Sequence, residues 1–93
     1  VDFGMSAAEA VTAPRFQTWH YVGSFGQSAP RLGSLSLQAE IGEKVFDELS
    51  ARGHRTSRTS APVWWPVMIT IDPASGRLEA AGDPKARRHA AAY

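Results

Sequence analysis

The sequence predicts an α+β fold, and three features support this class. Residues 63–83 are rich in β-branched and aromatic side chains and alternate with the period of a strand. Gly42–Arg52 has apolar residues at helical spacing. Ser6–Glu9 matches the capping box that starts a shorter helix. Together these features predict an antiparallel sheet with two helices packed on one face.

Composition sets the limits on what the chain can be. Its 93 residues suit one domain, so 1–93 is interpreted as a single domain or fragment. A net charge of +1 gives no general attraction to nucleic acid or to an anionic membrane. The absence of cysteine excludes disulfides and thiol chemistry. No apolar run approaches the roughly 20 residues of a membrane-spanning helix, so no membrane partner is expected. Val1 is not an initiator methionine, which favours a processed product or a piece of a longer chain.

The first helix is predicted to be short. Ser6 is its N-cap, and Glu9 lies where its side chain can reach the N-cap backbone. Pro14 ends the helix near Ala13, because the residue before a proline avoids the helical region. A helix of two turns is not stable by itself, so its stability must come from tertiary packing.

Between the two helices the sequence predicts irregular structure and one strand. Arg15–Phe25 is aromatic-rich and is predicted to be extended, whereas Gly26–Ser34 has the composition of a loop. Leu35–Ala39 alternates briefly and is predicted to be a short strand. The second helix, Gly42–Arg52, follows, and Gly53 is predicted to be its C-terminal cap.

The last part of the chain is predicted to be a hairpin. A polar segment, Arg55–Ala61, suits either an edge strand or a loop. Residues 63–72 then read as an inner strand that is covered on both faces. Asp72–Gly76 is a turn, in which Gly76 can adopt the left-handed conformation. Arg77–Ala81 is the returning strand.

The two faces of this strand have different expected neighbours. One face is wholly apolar and consists of Val63, Trp65, Val67, Ile69 and Ile71. The other face carries Trp64 and Met68, and we predict that it meets a layer absent from this chain. An isolated chain is therefore expected to form a homo-oligomer.

The residues offer no strong catalytic, cofactor-binding or metal-binding site, and none is assigned. The histidines lie far apart and form no pair at ligand spacing: His20, His54 and His89. The acidic residues of the second helix are interpreted as its solvated face: Glu43, Asp47 and Glu48. There is no Gly-x-Ser-x-Gly motif. Neither Gly23–Gly26 nor Gly82 lies in a Gly-rich turn from strand to helix that would hold a phosphate, so no cofactor is expected.

One alternative is a small stand-alone binding module. A basic segment precedes a tryptophan pair, a combination similar to a basic groove with stacking platforms: Arg52, Arg55, Arg58, Trp64 and Trp65. A second basic run contains Lys85, Arg87 and Arg88. Both runs are short and are balanced by acidic residues elsewhere. The preferred interpretation is a solvated surface over a buried aromatic pair, with no nucleic-acid partner.

Four motifs, in this order, carry a family resemblance that spans nearly the whole chain. They are Asp2-Phe3-Gly4-Met5-Ser6 with Glu9-Ala10-Val11; Ala13-Pro14-Arg15-Phe16; Leu49-Ser50-Ala51-Arg52-Gly53-His54; and Ile71-Asp72-Pro73 with Gly76-Arg77-Leu78, then Gly82-Asp83-Pro84-Lys85 and a terminal Tyr93. The ordered set resembles the C-terminal end of the small subunit of γ-glutamyltransferases, also called γ-glutamyltranspeptidases. The chain departs from the family pattern at Gln17–His20, at Lys85, and at His89 and Ala92, which suggests a divergent branch. Related acylases that remove dicarboxylic acyl groups share the architecture.

The resemblance implies a layered αββα fold of the N-terminal nucleophile hydrolases. In that family a precursor cleaves itself, and a threonine becomes the first residue of the small subunit and the nucleophile. Neighbouring backbone amides form the oxyanion hole. Both features belong to segments upstream of the matched stretch, so no catalytic residue is assigned here. The implied partner is the remainder of the precursor, and the chain alone is expected to be inactive.

Overall fold

A computed structural model describes residues 3–91 and confirms the α+β class. The helices and strands are α1 (Ala7–Thr12), β1 (Phe16–Gln17), β2 (Ser34–Gln38), α2 (Glu43–Ala51), β3 (Arg55–Thr59), β4 (Val67–Ile71) and β5 (Leu78–Gly82), followed by a 3-10 turn at Pro84–Ala86. Val1, Asp2, Ala92 and Tyr93 lie outside the described residues, and two of these, Asp2 and Tyr93, belong to the family motifs. Within residues 3–91, no helix has the length and apolar character needed to cross a membrane.

The chain divides into two compact units. The central unit is Pro14–Val63, and the split unit combines the described residues 3–13 with 64–91. The strands form two sheets, one in each unit. The interpretation of 1–93 as a single domain or fragment stays a prediction.

The sheet of the central unit has the order β1-β2-β3. β1 is antiparallel to β2, with Phe16 opposite Leu37. β3 is parallel to β2, with Leu35 opposite Thr56. The polar segment that suited either a strand or a loop is thus an edge strand. This pair differs from the antiparallel sheet that we expected, because the helix between β2 and β3 is the crossover that a parallel pair requires.

The core of the central unit lies on one face of β2. Leu35 and Leu37 are buried there, and Val63 is buried at the end of the unit. The buried Gln38 accepts a hydrogen bond from the backbone N–H of Arg15 at 2.7 Å. The guanidinium Nε of Arg15 donates to the carbonyl oxygen of Val63 at 2.8 Å. These bonds join the two ends of the unit to its central strand.

Helix α2 packs against β3 through a half-buried stripe rather than a deep core. Val45 is exposed, whereas Phe46 and Leu49 are intermediate. The guanidinium of Arg58 lies 4.6 Å from the ring centroid of Phe46 and covers it. Gly53 has φ of 95°, which confirms it as the residue that ends the helix in the left-handed conformation.

The split unit is built on the β4–β5 hairpin, which is antiparallel with Ile69 opposite Ala80. Its turn is the predicted one. The carboxylate of Asp72 accepts from the backbone N–H of Ala74 at 3.0 Å, and the Asp72 carbonyl accepts from the N–H of Gly76 at 2.7 Å. Gly76 has φ of 69°, as the turn requires.

The first strand of the hairpin is shorter than predicted, because residues 63–66 do not extend it. Trp64 has φ of 62°, a left-handed conformation that breaks the extended backbone. Pro66 has no N–H to donate to a neighbouring strand. β4 therefore begins at Val67.

Helix α1 covers one face of the hairpin. The backbone N–H of Ala7 donates to the carboxylate of Glu79 at 3.0 Å. Glu79 lies opposite Thr70, and directly paired residues share a face. Met68 alternates with Thr70 onto this face and is partly buried.

The uncovered face of the hairpin is therefore the opposite of the expected one. The prediction left the face of Met68 without a cover, but α1 lies on it. Four apolar side chains on the other face are exposed: Val67 (59%), Ile69 (63%), Ile71 (65%) and Leu78 (40%). We call these four residues the apolar hairpin face. The error arose because alternation separates two faces but does not tell which one a helix distant in sequence will cover.

The capping box of α1 makes its stability sensitive to acid. The backbone N–H of Ser6 donates to the Glu9 carboxylate at 2.8 Å and, with the Ser6 hydroxyl, holds the pKa of Glu9 below its usual range. A pKa lowered by folding stabilises the protein above the unfolded-state pKa, and this contribution is lost as the pH falls through the folded-state pKa. We expect Glu9→Ala to be more destabilising at about pH 6 than at about pH 3, measured by urea unfolding at both pH values. Equal destabilisation at both would show that the carboxylate has no such role.

Candidate functional site

The central unit contains a cavity of about 590 Å³. Two strands and the loop before them line it with Trp19, Pro30, Arg31, Leu32, Ser34, Ser36, Arg55 and Ser57. We call it the serine–arginine cavity. It is the best candidate for a binding site among the described residues, because cationic and hydroxyl groups converge in it.

The floor of the cavity is the polar face of the parallel pair β2–β3. Ser34 is opposite Arg55, and Ser36 is opposite Ser57. Within each strand the two residues are two positions apart, so all four share one face of the sheet. Leu35 and Leu37 alternate with the serines of β2 and point to the other face. The hydroxyl oxygens of Ser36 and Ser57 are hydrogen-bonded at 2.9 Å.

The wall of the cavity comes from the loop between β1 and β2. The backbone N–H of Arg31 donates to the carbonyl of Trp19 at 2.6 Å, and the Arg31 guanidinium lies 5.4 Å from the Trp19 ring centroid. The backbone N–H of Trp19 donates to the hydroxyl oxygen of Ser34 at 2.9 Å. These bonds hold the base of the loop against β2.

The electrostatics of the cavity favour an anion. No acidic side chain is among its lining residues. Neither Arg31 nor Arg55 forms an ion pair within the described chain. Guanidinium groups remain charged at any ordinary pH, so the cavity carries two positive charges.

The cavity has no arrangement for nucleophilic catalysis. A serine nucleophile needs a base within hydrogen-bonding distance of its hydroxyl. His20 is near in sequence to the wall, but its Nε2 accepts a hydrogen bond from the backbone N–H of Gly33 at 3.0 Å. The cationic and hydroxyl groups of the lining suit the binding of a ligand.

The other residues considered from the sequence do not assemble into a site. Within residues 3–91, no group of three or more His, Cys, Asp or Glu side chains is placed to hold a metal ion. Two of the acidic residues of α2 pair with arginines: Glu43 with Arg58 at 3.4 Å, and Glu48 with Arg52 one turn later. Asp47 is exposed, as expected for a solvated face.

The basic and aromatic cluster is divided between different environments. Arg52 and Arg58 pair with acids of α2, whereas Arg55 lines the serine–arginine cavity. Trp64 and Trp65 belong to the split unit and are 53% and 60% exposed. The prediction of a buried tryptophan pair was therefore wrong, because the left-handed backbone at Trp64 takes both side chains out of the strand alternation.

The sequence contains a signal for the cavity that was not among the predicted sites. Ser34 and Ser36 alternate with two leucines, which marks β2 as having one polar face. Arg55 and Ser57 repeat the same polar alternation. Joining the two patterns required knowing that the strands are parallel neighbours, and their separation by a helix hid this.

A comparison with known protein families gives a match over the whole chain. The model of the family described as gamma-glutamyltranspeptidase matches residues 1–93. This chain belongs to the gamma-glutamyltranspeptidase family. The family resemblance of the ordered motifs is thereby confirmed.

Solved structures similar to this gamma-glutamyltranspeptidase-family chain support the assignment. One, "Structure of LmbA2991T421A", is 28% identical with a TM-score of 0.75. Another, "Structure of LmbA2991HD", is 30% identical with a TM-score of 0.68. Each alignment covers 83% of this chain and 13% of the other, so the chain matches only a small part of these structures. No curated protein matches the chain.

Proposed function

We propose that this chain is a structural C-terminal segment of a γ-glutamyltranspeptidase-like enzyme and is catalytically incomplete by itself. The family match over residues 1–93 supports a parent protein of the gamma-glutamyltranspeptidase family. The similar solved chains are much longer, since the alignment covers 13% of each. A segment of that relative size is expected to supply scaffold to a larger fold.

The apolar hairpin face is the observation that carries this proposal. Its four side chains are 40–65% exposed and lie side by side on β4 and β5. Fully burying a side chain of this kind contributes about 1.5–3 kcal/mol, so a second layer on this face would be strongly favoured. The layered αββα architecture of the N-terminal nucleophile hydrolases has such a layer.

The parent's reaction follows from the family resemblance. The N-terminal threonine hydroxyl would attack the γ-glutamyl carbonyl carbon, and its proton would pass to the α-amine. The α-amine would then give this proton to the leaving nitrogen as the C–N bond of the substrate breaks. The resulting acyl-threonine would be cleaved by water or by an acceptor amine. This chain would contribute inner strands and covering helices. Its natural partner would be the remainder of the precursor.

A reconstitution experiment tests this proposal. The purified chain should release nothing from a chromogenic γ-glutamyl amide, and turnover should appear when it is co-expressed with the remainder of its precursor. Ile69→Asp should reduce the yield of the complex, because a carboxylate on the apolar hairpin face cannot be buried without a partner. Leu32→Asp is the matched control, since Leu32 is 67% exposed in the other unit.

Two results would contradict the proposal. One is turnover by the chain alone that survives repurification. The other is a complex of Ile69→Asp that forms as readily as that of Leu32→Asp. The same face is expected to associate with a second copy when the chain is isolated, so sedimentation should give a dimer or larger for the native sequence and a smaller mass for Ile69→Asp.

A further inference from the structure

We propose that the serine–arginine cavity binds a small anion that carries a carboxylate or phosphate group. Its volume of about 590 Å³ lies within the range of roughly 300–1,000 Å³ that is typical of small-molecule sites. The proposal is independent of the parent's reaction, since it depends only on the residues of the central unit.

The first argument is charge. Arg31 and Arg55 both line the cavity, and neither has an acidic partner among the described residues. A guanidinium offers parallel N–H donors that match both oxygens of a carboxylate or two oxygens of a phosphate. Two guanidinium groups that line one concave site raise its positive potential and so attract an anion.

The second argument is the supply of hydroxyl donors. In the Ser36–Ser57 pair one hydroxyl donates to the other, so one O–H of the pair remains for a ligand. The oxygen of Ser34 already accepts from Trp19, so the Ser34 O–H is also available. An anionic oxygen accepts hydrogen bonds and donates none, so it matches a lining whose free serine hydroxyls and arginine N–H groups can donate. A cation would find no carboxylate in the lining.

The third argument is that the backbone positions of these groups are fixed before any ligand binds. Ser34, Ser36, Arg55 and Ser57 stand on paired strands in fixed register. The Arg31 guanidinium is held over the Trp19 ring, so binding would cost little side-chain entropy.

The remaining lining is partly apolar. Pro30, Leu32 and the Trp19 ring border the charged floor. This combination fits a small organic acid or a phosphate ester with a short carbon skeleton. The two ligand classes share an anionic group. A carboxylate probe and a phosphate probe distinguish between them.

The test is a titration of the full chain, labelled with ¹⁵N, with succinate and separately with inorganic phosphate. We expect saturable shifts of the backbone amides of Ser36 and Ser57 and of the Trp19 indole N–H. Succinamide, which has the shape of succinate without its charge, should not bind. Saturation by succinate alone supports a carboxylate ligand, and saturation by phosphate alone supports a phosphate ligand. No saturation with either probe would overturn the proposal.

Matched variants make the test specific. Arg55→Gln and Arg31→Gln should each raise the dissociation constant at least about tenfold, which corresponds to about 1.4 kcal/mol. Arg77→Gln is the control, because Arg77 is an exposed arginine of the split unit. The double variant Ser36→Ala/Ser57→Ala, which removes the hydroxyl pair together with its available O–H, should weaken binding. Equal weakening by Arg77→Gln would show general charge attraction and would also overturn the proposal.

Discussion

Gly82→Val is expected to destabilise the split unit by about 3 kcal/mol, the upper part of the range for forcing atoms into a packed site. A Cβ at position 82 would lie 2.7 Å from the carbonyl carbon and oxygen of Arg88 and 2.9 Å from the N of His89. These are backbone atoms, so they cannot move aside as the end of a flexible side chain does.

This close approach results from the path that the chain takes after β5. Asp83 is buried, and its carboxylate accepts from the backbone N–H of Lys85 at 3.0 Å, which starts the 3-10 turn. Arg87 then adopts φ of 54° and turns the chain back. The segment that follows lies against β5 at Gly82, where only a glycine leaves room.

Urea unfolding measures this effect, with Gly42→Ala as the control. A Cβ at Gly42 meets nothing within 4 Å, and its φ of −58° suits any residue. The control should cost less than about 1 kcal/mol, since a surface substitution of this kind removes only a weak N-cap preference. Similar unfolding midpoints for Gly82→Val and the native sequence would mean that residues 88–89 do not lie against β5.

Leu37→Ala is expected to destabilise the central unit by about 2–5 kcal/mol, the usual cost of emptying a buried leucine site. Leu37 is 2% exposed and lies on β2, the middle strand of the sheet. It pairs with Phe16 on one side and with Arg58 on the other. Neighbours on two strands are hydrogen-bonded in place and cannot collapse into the space, which favours the higher part of the range.

Leu32→Ala is the matched control for this prediction. It removes the same atoms from a side chain that is 67% exposed, so the change should stay within about 0.5 kcal/mol. Both variants are measured by urea unfolding with the m-value fitted separately. Comparable losses for the two leucines would contradict the placement of β2 at the centre of the unit.

Local features of this chain were predictable because neighbouring residues carry them. The capping box at Ser6 and Glu9 satisfies its own backbone groups. The turn at Asp72–Gly76 uses a carboxylate and a glycine within five residues. Gly53 ends α2 for an equally local reason. The ordered motifs also predicted the family, and the comparison with known families confirmed it.

Long-range pairing was not predictable in the same way. Nothing local to Arg55–Thr59 says that it pairs in parallel with Ser34–Gln38, and yet this pairing creates the serine–arginine cavity. Alternation in β4 identified two faces, but the contact between Ala7 and Glu79, 72 residues apart, decided which one is covered. The left-handed backbone at Trp64 also contradicts the alternation of its neighbours.

The sequence by itself therefore determined the α+β class, the helix ends, the hairpin turn and the family. Each of these depends on hydrogen bonds and backbone preferences that act within a few residues, or on motifs read directly from the chain. Only the tertiary structure decided the parallel pair, the apolar hairpin face and the cavity with Arg31 and Arg55. These depend on which distant segments come together, and a pattern of period two is the same whichever partner a strand finds.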